Sequence, residues 1–498
     1  MRPDPGDSSG SVALDSTTGR VVVATTVLGS AVAQLTATVV NVALPSIATD
    51  LGAGSAGQQW IVNSYLVTLA SLILVGGTLG DRFGRLRTYR IGVAWFGAAS
   101  LLCAVAPSTE ALIGARLLQG VGGALLTPGS LAIIEATLRR DDRGRGVGAW
   151  SGLGGVAGAI GPLVGGLVVE ASWRWVFLLN LPIAVLALVL SRWVPESRDH
   201  DARHTPLDVG GALLTVVLLG GASFALIQAP AAGPSGTVVV AAVASLVALV
   251  ALVRWERGRA GAMVPVDLFT ERAFVAANTV TFVVYGGLGV VFFLLSIQLQ
   301  VSAGWSPLAA GASLLPVTVL MLTLSSRTGA WASRIGPRWP LTVGPAVMSV
   351  GMVLMTRIDA EATFLADVLP ATVVFGLGLS ATVAPVTAAA LGSVPDRRAG
   401  AASGTNNAVA RTGQLLAVAA VPLLVGLTGD ALSEPAALAE GFVPAVLVAA
   451  GLVALGSLVA LVMFRDDDLC TEHPISDEGA VFVCGVDGPP TAADHLAS

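Results

Sequence analysis

Charged residues set between or within long apolar runs are the first candidates for chemistry in this sequence. The stretch "GGTLGDRFGRLRTYRIG" (76–92) places one acid, Asp81, and four arginines between two such runs. Gly77 and Asp81 are four residues apart and therefore share one face of a helix. An acid at the edge of an apolar run requires a cationic or amide partner. A stop-transfer loop would account for the arginines, but it leaves Asp81 and the glycines unexplained.

A second candidate is Arg116, which lies several residues inside an apolar run. An unpaired charge at that depth costs about 2.5–3.5 kcal/mol on insertion scales, so a partner is required. Gln119 lies one turn away and is the nearest polar side chain in sequence. We expect a polar network around Arg116, with a purely structural hydrogen-bond hub as the alternative. Arg411 raises the same question, and there a structural role is favoured.

Acids that could carry protons are scarce near the apolar runs. Glu135, Asp367 and Asp208 each lie close to one end of a run, so none is central. Glu135, Asp367 and Asp81 are therefore the acids to consider wherever a titrating group is required.

Other polar side chains within the runs could line a substrate cavity. They are Gln34, Thr36, Asn41, Asn63, Tyr65, Asn278, Tyr285, Gln298, Asn407 and Gln414. A cavity of scattered amides with few acids suits a bulky amphipathic or neutral solute better than a strong cation. The alternative role for these amides is to cross-link helices.

The elements that must position these residues are membrane helices. The mean hydropathy is +0.79 and only 12% of the 498 residues are charged, against about a quarter in soluble proteins. Runs of about 20 apolar residues can each cross a bilayer core. The sequence predicts an all-α polytopic protein with fourteen transmembrane helices, near 21–46, 59–80, 89–107, 111–138, 147–169, 174–194, 207–229, 236–254, 274–300, 307–330, 340–357, 364–394, 401–428 and 442–464.

The distribution of basic residues predicts the orientation of these helices. Loops after even-numbered runs hold most of the arginines, whereas odd-numbered loops hold only Arg174 and Arg357. By the positive-inside rule, the even-numbered loops and both termini are cytoplasmic. All 27 basic residues are arginine. A P-loop or a pyridoxal Schiff base, which both need lysine, is thereby excluded.

An internal repeat divides the chain into two halves. "GTLGDRFGRL" (77–86) aligns with "GAWASRIGPR" (329–338), where Ser333 replaces Asp81. The copies follow the second and tenth runs, so two additional helices separate two six-helix halves. The predicted organisation is a cytoplasmic tail (1–20), an N-terminal half (21–194), a linker with two helices (195–272), a C-terminal half (273–464) and a disordered cytoplasmic tail (465–498).

Six motifs in order resemble those of a known family. Besides the repeated loop, they are "VVNVALPSI" (39–47), "ARLLQGVGGALLTPGSLAII" (115–134), "GLGGVAGAIGPLVGG" (152–166), "SWRWVFLLNLPI" (172–183) and "GAASGTNNAVARTGQ" (400–414). On these motifs the chain resembles the major facilitator superfamily, in its fourteen-spanner drug:proton antiporter family of the multidrug or quaternary-ammonium exporter type.

The resemblance implies roles for three groups of residues. Arg116 with Gln119 would take part in proton transfer or hold the polar network near the proton site, with Glu135 and Asp367 as candidate acids for proton coupling. A cytoplasmic latch, which holds the halves together in the outward-facing state, would comprise Gly77, Asp81, Arg82, Gly84 and Arg85. An antiporter seam of small residues, which seals the pathway, would comprise Gly154, Gly158, Gly161, Pro162, Gly165 and Gly166. Plain tight packing and a positive-inside anchor are the alternatives. One departure matters: Thr36 stands where the subgroup often has a membrane-embedded aspartate, and threonine cannot titrate.

The expected function is proton-coupled efflux of small amphipathic drugs, antibiotics or toxic metabolites by alternating access in a bacterial inner membrane. An uncoupled facilitator or uptake carrier of the same fold is the alternative. The expected partners are a small-molecule substrate, protons and the lipid bilayer, with no nucleic acid, no cofactor and a monomeric state. An enzyme is not expected, because the four histidines lie in loops or tails. Cys470, His473 and Cys484 match no zinc spacing, so no metal is expected either.

Overall fold

The computed structural model describes residues 12–197, 207–233, 235–257, 259, 266–394 and 398–465. Within these ranges the chain is helical apart from turns, loops and one isolated bridge between Val12 and Leu138. Most of the two predicted tails, with Cys470, His473 and Cys484, lies outside the described residues. The α-helices are α1 (Thr17–Leu51), α2 (Ser55–Phe83), α3 (Arg85–Ala104), α4 (Thr109–Thr137), α5 (Arg140–Val169), α6 (Trp175–Leu178), α7 (Asn180–Leu190), α8 (Val209–Ala232), α9 (Gly236–Glu256), α10 (Arg272–Ile297), α11 (Pro307–Ala312), α12 (Leu315–Ile335), α13 (Arg338–Met355), α14 (Leu369–Ser380), α15 (Val383–Gly392), α16 (Ala399–Leu424) and α17 (Pro435–Met463).

Eleven stretches of the described chain are long and apolar enough to cross a membrane. Seven correspond to single helices or to most of one, namely α1, α2, α4, α8, α9, α16 and α17. The other four combine shorter elements into the stretches Trp175–Trp193, Arg272–Ser302, Pro307–Ala332 and Phe364–Gly392. An all-helical membrane protein is therefore confirmed.

The predicted number of fourteen spans is not confirmed. The three remaining runs fall in α3, α5 and α13, which are not among the eleven stretches. Arginines in the first turn of α3 lower the hydropathy of that helix, and α13 begins with Arg338 and contains Pro345. In α5 the apolar stretch Ile160–Val169 is shorter than a span. The structure thus supports eleven candidate spans, and fourteen stays a prediction.

The helices pack as two groups joined by a helical hairpin. In the first group α2 and α3 pack on α4, and α1 packs on α5; in the second, α10 packs on α16 and α17, and α13 packs on α14 and α17. The hairpin of α8 and α9 contacts both groups through α8, which lies against α2 and α16. Trp60 and Phe224 form one ring contact there, with centroids 6.4 Å apart.

The repeated loop has the same backbone feature in both halves. Gly84 separates α2 from α3 with a φ of 114°, and Gly336 separates α12 from α13 with a φ of 84°. Residues with a side chain rarely adopt a positive φ, so glycine lets two helices turn at this point. The two sequence copies therefore make equivalent breaks between consecutive helices.

The loops gather at two ends of the bundle. At the arginine-rich end, the backbone N–H of Arg85 donates to the carbonyl oxygen of Ser197, and Val12 forms an isolated β-bridge with Leu138. At the arginine-poor end, Ser55 donates its backbone N–H to Gly429 at 2.8 Å. These contacts join described parts of the second, fourth and sixth loops and the start of the described chain at one end, and of the first and thirteenth loops at the other.

Glycine allows α2 and α4 to pack closely, and the contribution of this contact to the free energy of unfolding can be tested. A methyl group on Gly76 would clash with the carbonyl oxygen of Ala124 on α4, whereas one on Gly451 of α17 meets open space. We expect Gly76→Ala to cost about 1–3 kcal/mol through overpacking. Gly451→Ala should be neutral or stabilise by up to about 1 kcal/mol through helix propensity. Thermal unfolding of the two purified variants in detergent tests this, and equal melting temperatures would contradict it.

Candidate functional site

The two halves meet through a polar cluster in the middle of the bundle. Gln34 lies at the centre of α1, and Arg411 lies within one residue of the centre of α16. The Nη2 of Arg411 donates to Oε1 of Gln34 at 2.7 Å, and its Nη1 donates to Oε1 of Gln414 at 3.2 Å. All three side chains are only partly buried. We call Gln34, Arg411, Gln414 and Tyr285 the central cluster.

Tyr285 joins this cluster from a third helix. It lies within one residue of the middle of α10 and is also partly buried. Arg411 is close enough to interact electrostatically with Tyr285 and with Tyr65 of α2. Side chains from α1, α2, α10 and α16 thus converge at one depth. Half-buried polar groups at that depth are expected beside a cavity rather than lipid.

Arg116 anchors a second polar network, inside the N-terminal half. Its side chain is 1% exposed. The guanidinium donates to the carbonyl oxygen of Ile61 at 3.0 Å and to Oε1 of Gln119 at 2.6 Å, and it lies 4.4 Å from the ring centroid of Tyr65. Hydrogen bonds and the ring face therefore compensate the buried charge without a carboxylate. The structure brings Arg116 and Gln119 together as expected.

The same network extends to Thr36. Gln119 donates to Oγ of Ser100 at 2.8 Å, and Asn180 donates to the same oxygen at 3.2 Å. Thr36, which is fully buried, donates to Oδ1 of Asn180 at 3.0 Å. A continuous chain of hydrogen bonds thus links α1, α7, α3 and α4. Thr36 faces this network in the N-terminal half.

The small residues of α5 lie between α1 and the C-terminal half. Towards α1, a methyl group on Gly165 would lie 2.7 Å from Val39, and one on Gly161 would clash with Thr38. A methyl group on Gly158 would lie 3.7 Å from the Cβ of Gln34, so this glycine packs next to the central cluster. Gly154 lies in the same helix. One face of α5 therefore packs closely against α1.

An adjacent face of α5, about 100° around the helix, contacts α11. A methyl group on Gly166 would clash with the backbone of Pro307, and one on Gly311 would clash with the carbonyl oxygen of Pro162. This contact joins the two halves towards the arginine-poor end. Of the residues expected to form the seam, Pro162 and Gly166 thus touch the second half, whereas Gly158, Gly161 and Gly165 pack on α1 of their own half. A role as a seam stays a prediction.

Further hydrogen bonds join the halves at the arginine-poor end. Ser55 accepts from the backbone N–H of Leu432 at 3.1 Å, and Gln58 donates to Ser433 at 3.2 Å. Gln300 donates to the carbonyl oxygen of Val42 at 3.0 Å. In the conformation described, this end is held closed.

The loop expected to act as a latch makes its polar contacts within the N-terminal half. Arg85 pairs with Asp81 at 2.7 Å and donates to the carbonyl oxygen of Ala132 at 3.3 Å. Arg82 lies 5.3 Å from the ring centroid of Phe83, and Gly77 packs near Pro128. The structure brings Asp81, Arg85 and Gly84 together; a role as a latch between halves stays a prediction.

Glu135 and Asp367 lie at opposite ends of the bundle. Glu135 is exposed near the end of α4, at the arginine-rich end. Asp367 accepts from the backbone N–H of Thr363 at 2.9 Å and lies 3.6 Å from Arg357. The structure therefore brings neither acid to Arg116 or to the central cluster.

The remaining predicted cavity residues are dispersed. Asn278 accepts from Asn406 at 3.2 Å and cross-links α10 to α16, while Gln298 donates to the carbonyl oxygen of Ile358. Asn407 is exposed and donates to Ser403 on its own helix. Asn41 and Asn63 are buried, and among the described residues neither amide atom of Asn63 has a hydrogen-bond partner.

Several residues that cap a helix or link helices in this structure could not be identified from the sequence. Glu196 accepts from the backbone N–H groups of Leu86 and Arg87 at 2.9 and 3.1 Å, so it caps the start of α3. Ser100 links Gln119 to Asn180, and Gln300 joins the halves. The only available signal was a polar residue within or beside an apolar run.

Comparison with known proteins identifies the fold. A crystal structure of a D-xylose–proton symporter superposes with a TM-score of 0.65 over 90% of this chain and 99% of that chain, at 15% sequence identity. A peptide transporter of the POT type superposes with a TM-score of 0.63 over 91% of this chain and 96% of that chain, also at 15% identity. These likenesses establish the architecture alone.

Sequence comparison identifies the family. The Major Facilitator Superfamily profile matches residues 26–417. The multidrug resistance protein Stp of Mycobacterium tuberculosis is 33% identical over 82% of this chain and 76% of its own length. The puromycin resistance protein of Streptomyces alboniger is 32% identical over 86% and 88%, and the methylenomycin A resistance protein of Bacillus subtilis 33% over 83% and 89%. The resemblance drawn from the motifs is confirmed: the chain belongs to the major facilitator superfamily and is a multi-pass membrane transporter.

Proposed function

We propose that this protein exports small amphipathic compounds, such as antibiotics or toxic metabolites, by alternating access driven by the proton gradient. The central cluster is the observation that carries the proposal, since it places polar side chains of both halves at one depth, where a transporter built on a parallel repeat binds its substrate. The names of the relatives support the substrate class, because they are resistance proteins against multiple drugs, puromycin and methylenomycin A. Export is the proposed direction, because removal of a toxic compound from the cell would confer resistance.

The proposed setting is a bacterial inner membrane with the arginine-rich end in the cytoplasm. The charge asymmetry of the loops supports this orientation, because arginines near span ends are retained on the cytoplasmic side. It places both termini in the cytoplasm. Fourteen spans follow if α3, α5 and α13 also cross the bilayer, and the functional unit is proposed to be a monomer without a nucleic-acid partner.

Alternating access is supported by the unequal contacts at the two ends. The hydrogen bonds of Ser55 and Gln58 and the α5–α11 contact hold the arginine-poor end closed. The loop with Asp81 and Arg85 bonds within its own half. In the proposed change of state, the contacts at the arginine-poor end break, and Arg82 and Arg85 form new contacts with the C-terminal half. This is the role expected for the latch.

Coupling to protons requires a titrating group other than residue 36. One proton moving down about 100 mV supplies roughly 2.3 kcal/mol, and one pH unit adds about 1.4 kcal/mol. This is enough for a concentration gradient of a few hundred-fold for a neutral solute. Asp81, Glu135 and Asp367 are the proposed proton carriers, with Arg116 and Gln119 as a supporting network. An uncoupled facilitator or uptake carrier is the second candidate, and the neutral Thr36 favours it.

Transport in everted vesicles separates these two candidates. We expect the native protein to take up drug against a gradient. Collapse of both the pH difference and the membrane potential should abolish this uptake, because the two together supply the free energy. Thr36→Asp, which places a carboxylate beside Asn180, is expected to add little. The matched control Thr36→Ser keeps the hydroxyl and should behave as the native protein. Uphill transport by Thr36→Asp alone would identify the native chain as a facilitator and overturn proton-coupled export.

The contact between α5 and α11 provides a test of alternating access. Gly166→Leu inserts a side chain against the backbone of Pro307, so it should disfavour the state closed at the arginine-poor end. We expect transport to fall about tenfold or more while the protein still folds. Gly148→Leu is the control, because a side chain there meets open space on the same helix.

Labelling reports the conformational shift directly. Ser55 is 1% exposed at the closed end, and a cysteine placed there, with Cys470 and Cys484 replaced by serine, reads its accessibility. A membrane-impermeant maleimide should react severalfold faster in the Gly166→Leu background than in the Gly148→Leu background. Equal labelling with equal transport would remove the α5–α11 contact from the mechanism.

A further inference from the structure

The central cluster has an unusual charge. Arg411 lies in the middle of α16, and the acceptors that the described structure gives it are the neutral amides of Gln34 and Gln414. A guanidinium carries five N–H donors, of which one from each Nη is used in these bonds. Among the described residues, the remaining donors of Arg411 have no hydrogen-bond acceptor. The guanidinium therefore combines an unneutralised charge with spare donors.

No carboxylate of the described chain is placed to neutralise it. Every described aspartate and glutamate lies in a loop or within the first or last two turns of a helix. The ion pairs of the described residues join acids to arginines near the ends, as in Asp81–Arg85, Asp50–Arg174 and Asp367–Arg357. Since an isolated charge in a bilayer core is costly, a mobile anion is the partner that would recover this cost.

A second arginine extends the positive charge towards the arginine-rich end. Arg327 lies in α12, more than two turns from its end, and it is exposed. Thr323 and Arg334 lie four residues before and seven residues after it, so all three share one face of the helix. An arginine that faced lipid at this depth would be strongly disfavoured. Positive charge therefore continues along α12 from near the middle of this helix to the arginine-rich end.

We propose that Arg411 binds an anionic group of the substrate, so that the exported compounds are acidic amphipaths such as carboxylates, phenolates or sulfonates. Gln34, Gln414 and Tyr285 surround the anionic group, and Arg327 and Arg334 attract it towards the central cluster from the arginine-rich end. Charge-assisted hydrogen bonds from a guanidinium to such a group are about twice as strong as neutral ones. Cations are repelled by the same charge, in keeping with the absence of a central carboxylate among the described residues.

An anionic substrate also supplies a driving force. An anion that leaves a compartment held about 100 mV negative is expelled to a gradient of roughly fifty-fold by the potential alone. Export of an acidic compound therefore does not depend on a carboxylate at position 36. The inference rests on the proposed export function but not on its coupling ion.

Two dyes that share a ring system test the charge requirement. Anilinonaphthalenesulfonate carries an anionic sulfonate, and N-phenylnaphthylamine lacks it; both fluoresce in apolar surroundings. Binding to the full-length protein in nanodiscs, with empty nanodiscs subtracted, gives each Kd. We expect Arg411→Gln to weaken binding of the sulfonate dye about tenfold or more and to change that of the neutral dye by less than about twofold. Arg411→Lys should recover part of the affinity.

The control removes the same charge elsewhere. Arg272 is exposed at the first position of α10 and donates to the carbonyl oxygen of Val462, so Arg272→Gln should leave both Kd values unchanged. In liposomes, a valinomycin-induced potential should accelerate export of the sulfonate dye from the negative compartment. The neutral dye serves as the reference for leakage.

Three outcomes would overturn the inference. The first is equal affinity of the native protein for both dyes, and the second is an equal loss for both in Arg411→Gln, which would assign Arg411 a structural role. The third is preferential binding of the cation ethidium. Export of drugs in everted vesicles would survive each of these results, whereas an absence of export there would remove the proposed function itself.

Discussion

The cost of holding a guanidinium inside a bilayer is the constraint on which much of this structure depends. Arg116 meets it by complete burial against a carbonyl oxygen, a glutamine and the face of Tyr65. Its partners belong to α2 and α4, so the charge fixes how these helices pack. Ser100 and Asn180 continue the network into α3 and α7. A single buried cation thereby specifies the arrangement of the N-terminal half.

Arg411 meets the same cost in a different way, because its partners lie in both halves. The bond to Gln34 crosses the interface that the proposed alternating access would rearrange. Glycines allow close helix packing at this interface: Gly158 of α5 lies beside Gln34, and Gly166, on an adjacent face of α5, lies against Pro307. Each half is tightly packed, whereas small residues and amide contacts join the two halves. In the proposed mechanism the halves can therefore move as rigid bodies without exposing a buried charge to lipid.

Local and periodic features of this protein could be predicted from the sequence. The pairing of Arg116 with Gln119 follows from a spacing of three residues on one helix, and the breaks at Gly84 and Gly336 follow from the repeated motif. The bond between Gln34 and Arg411 could not be predicted, because 377 residues separate them and either could have faced another helix. Glu196 was missed for the same reason, since it caps a helix that begins 111 residues before it. Arginine-rich first turns, such as that of α3, make it difficult to count spans by hydropathy.

The two polar networks also separate the proposed substrate site from residue 36. Gln34 and Thr36 are two residues apart on α1, roughly 200° around the helix, and they point to different neighbours. Gln34 reaches Arg411 between the halves, whereas Thr36 reaches Asn180 inside the N-terminal half. An acid at residue 36 would therefore face the chain of hydrogen bonds that ends at Arg116 and not the central cluster. It follows that a threonine in place of an acid at this position leaves the charge and geometry around Arg411 intact. In the proposed function, substrate recognition and proton coupling would therefore change independently on opposite faces of one helix.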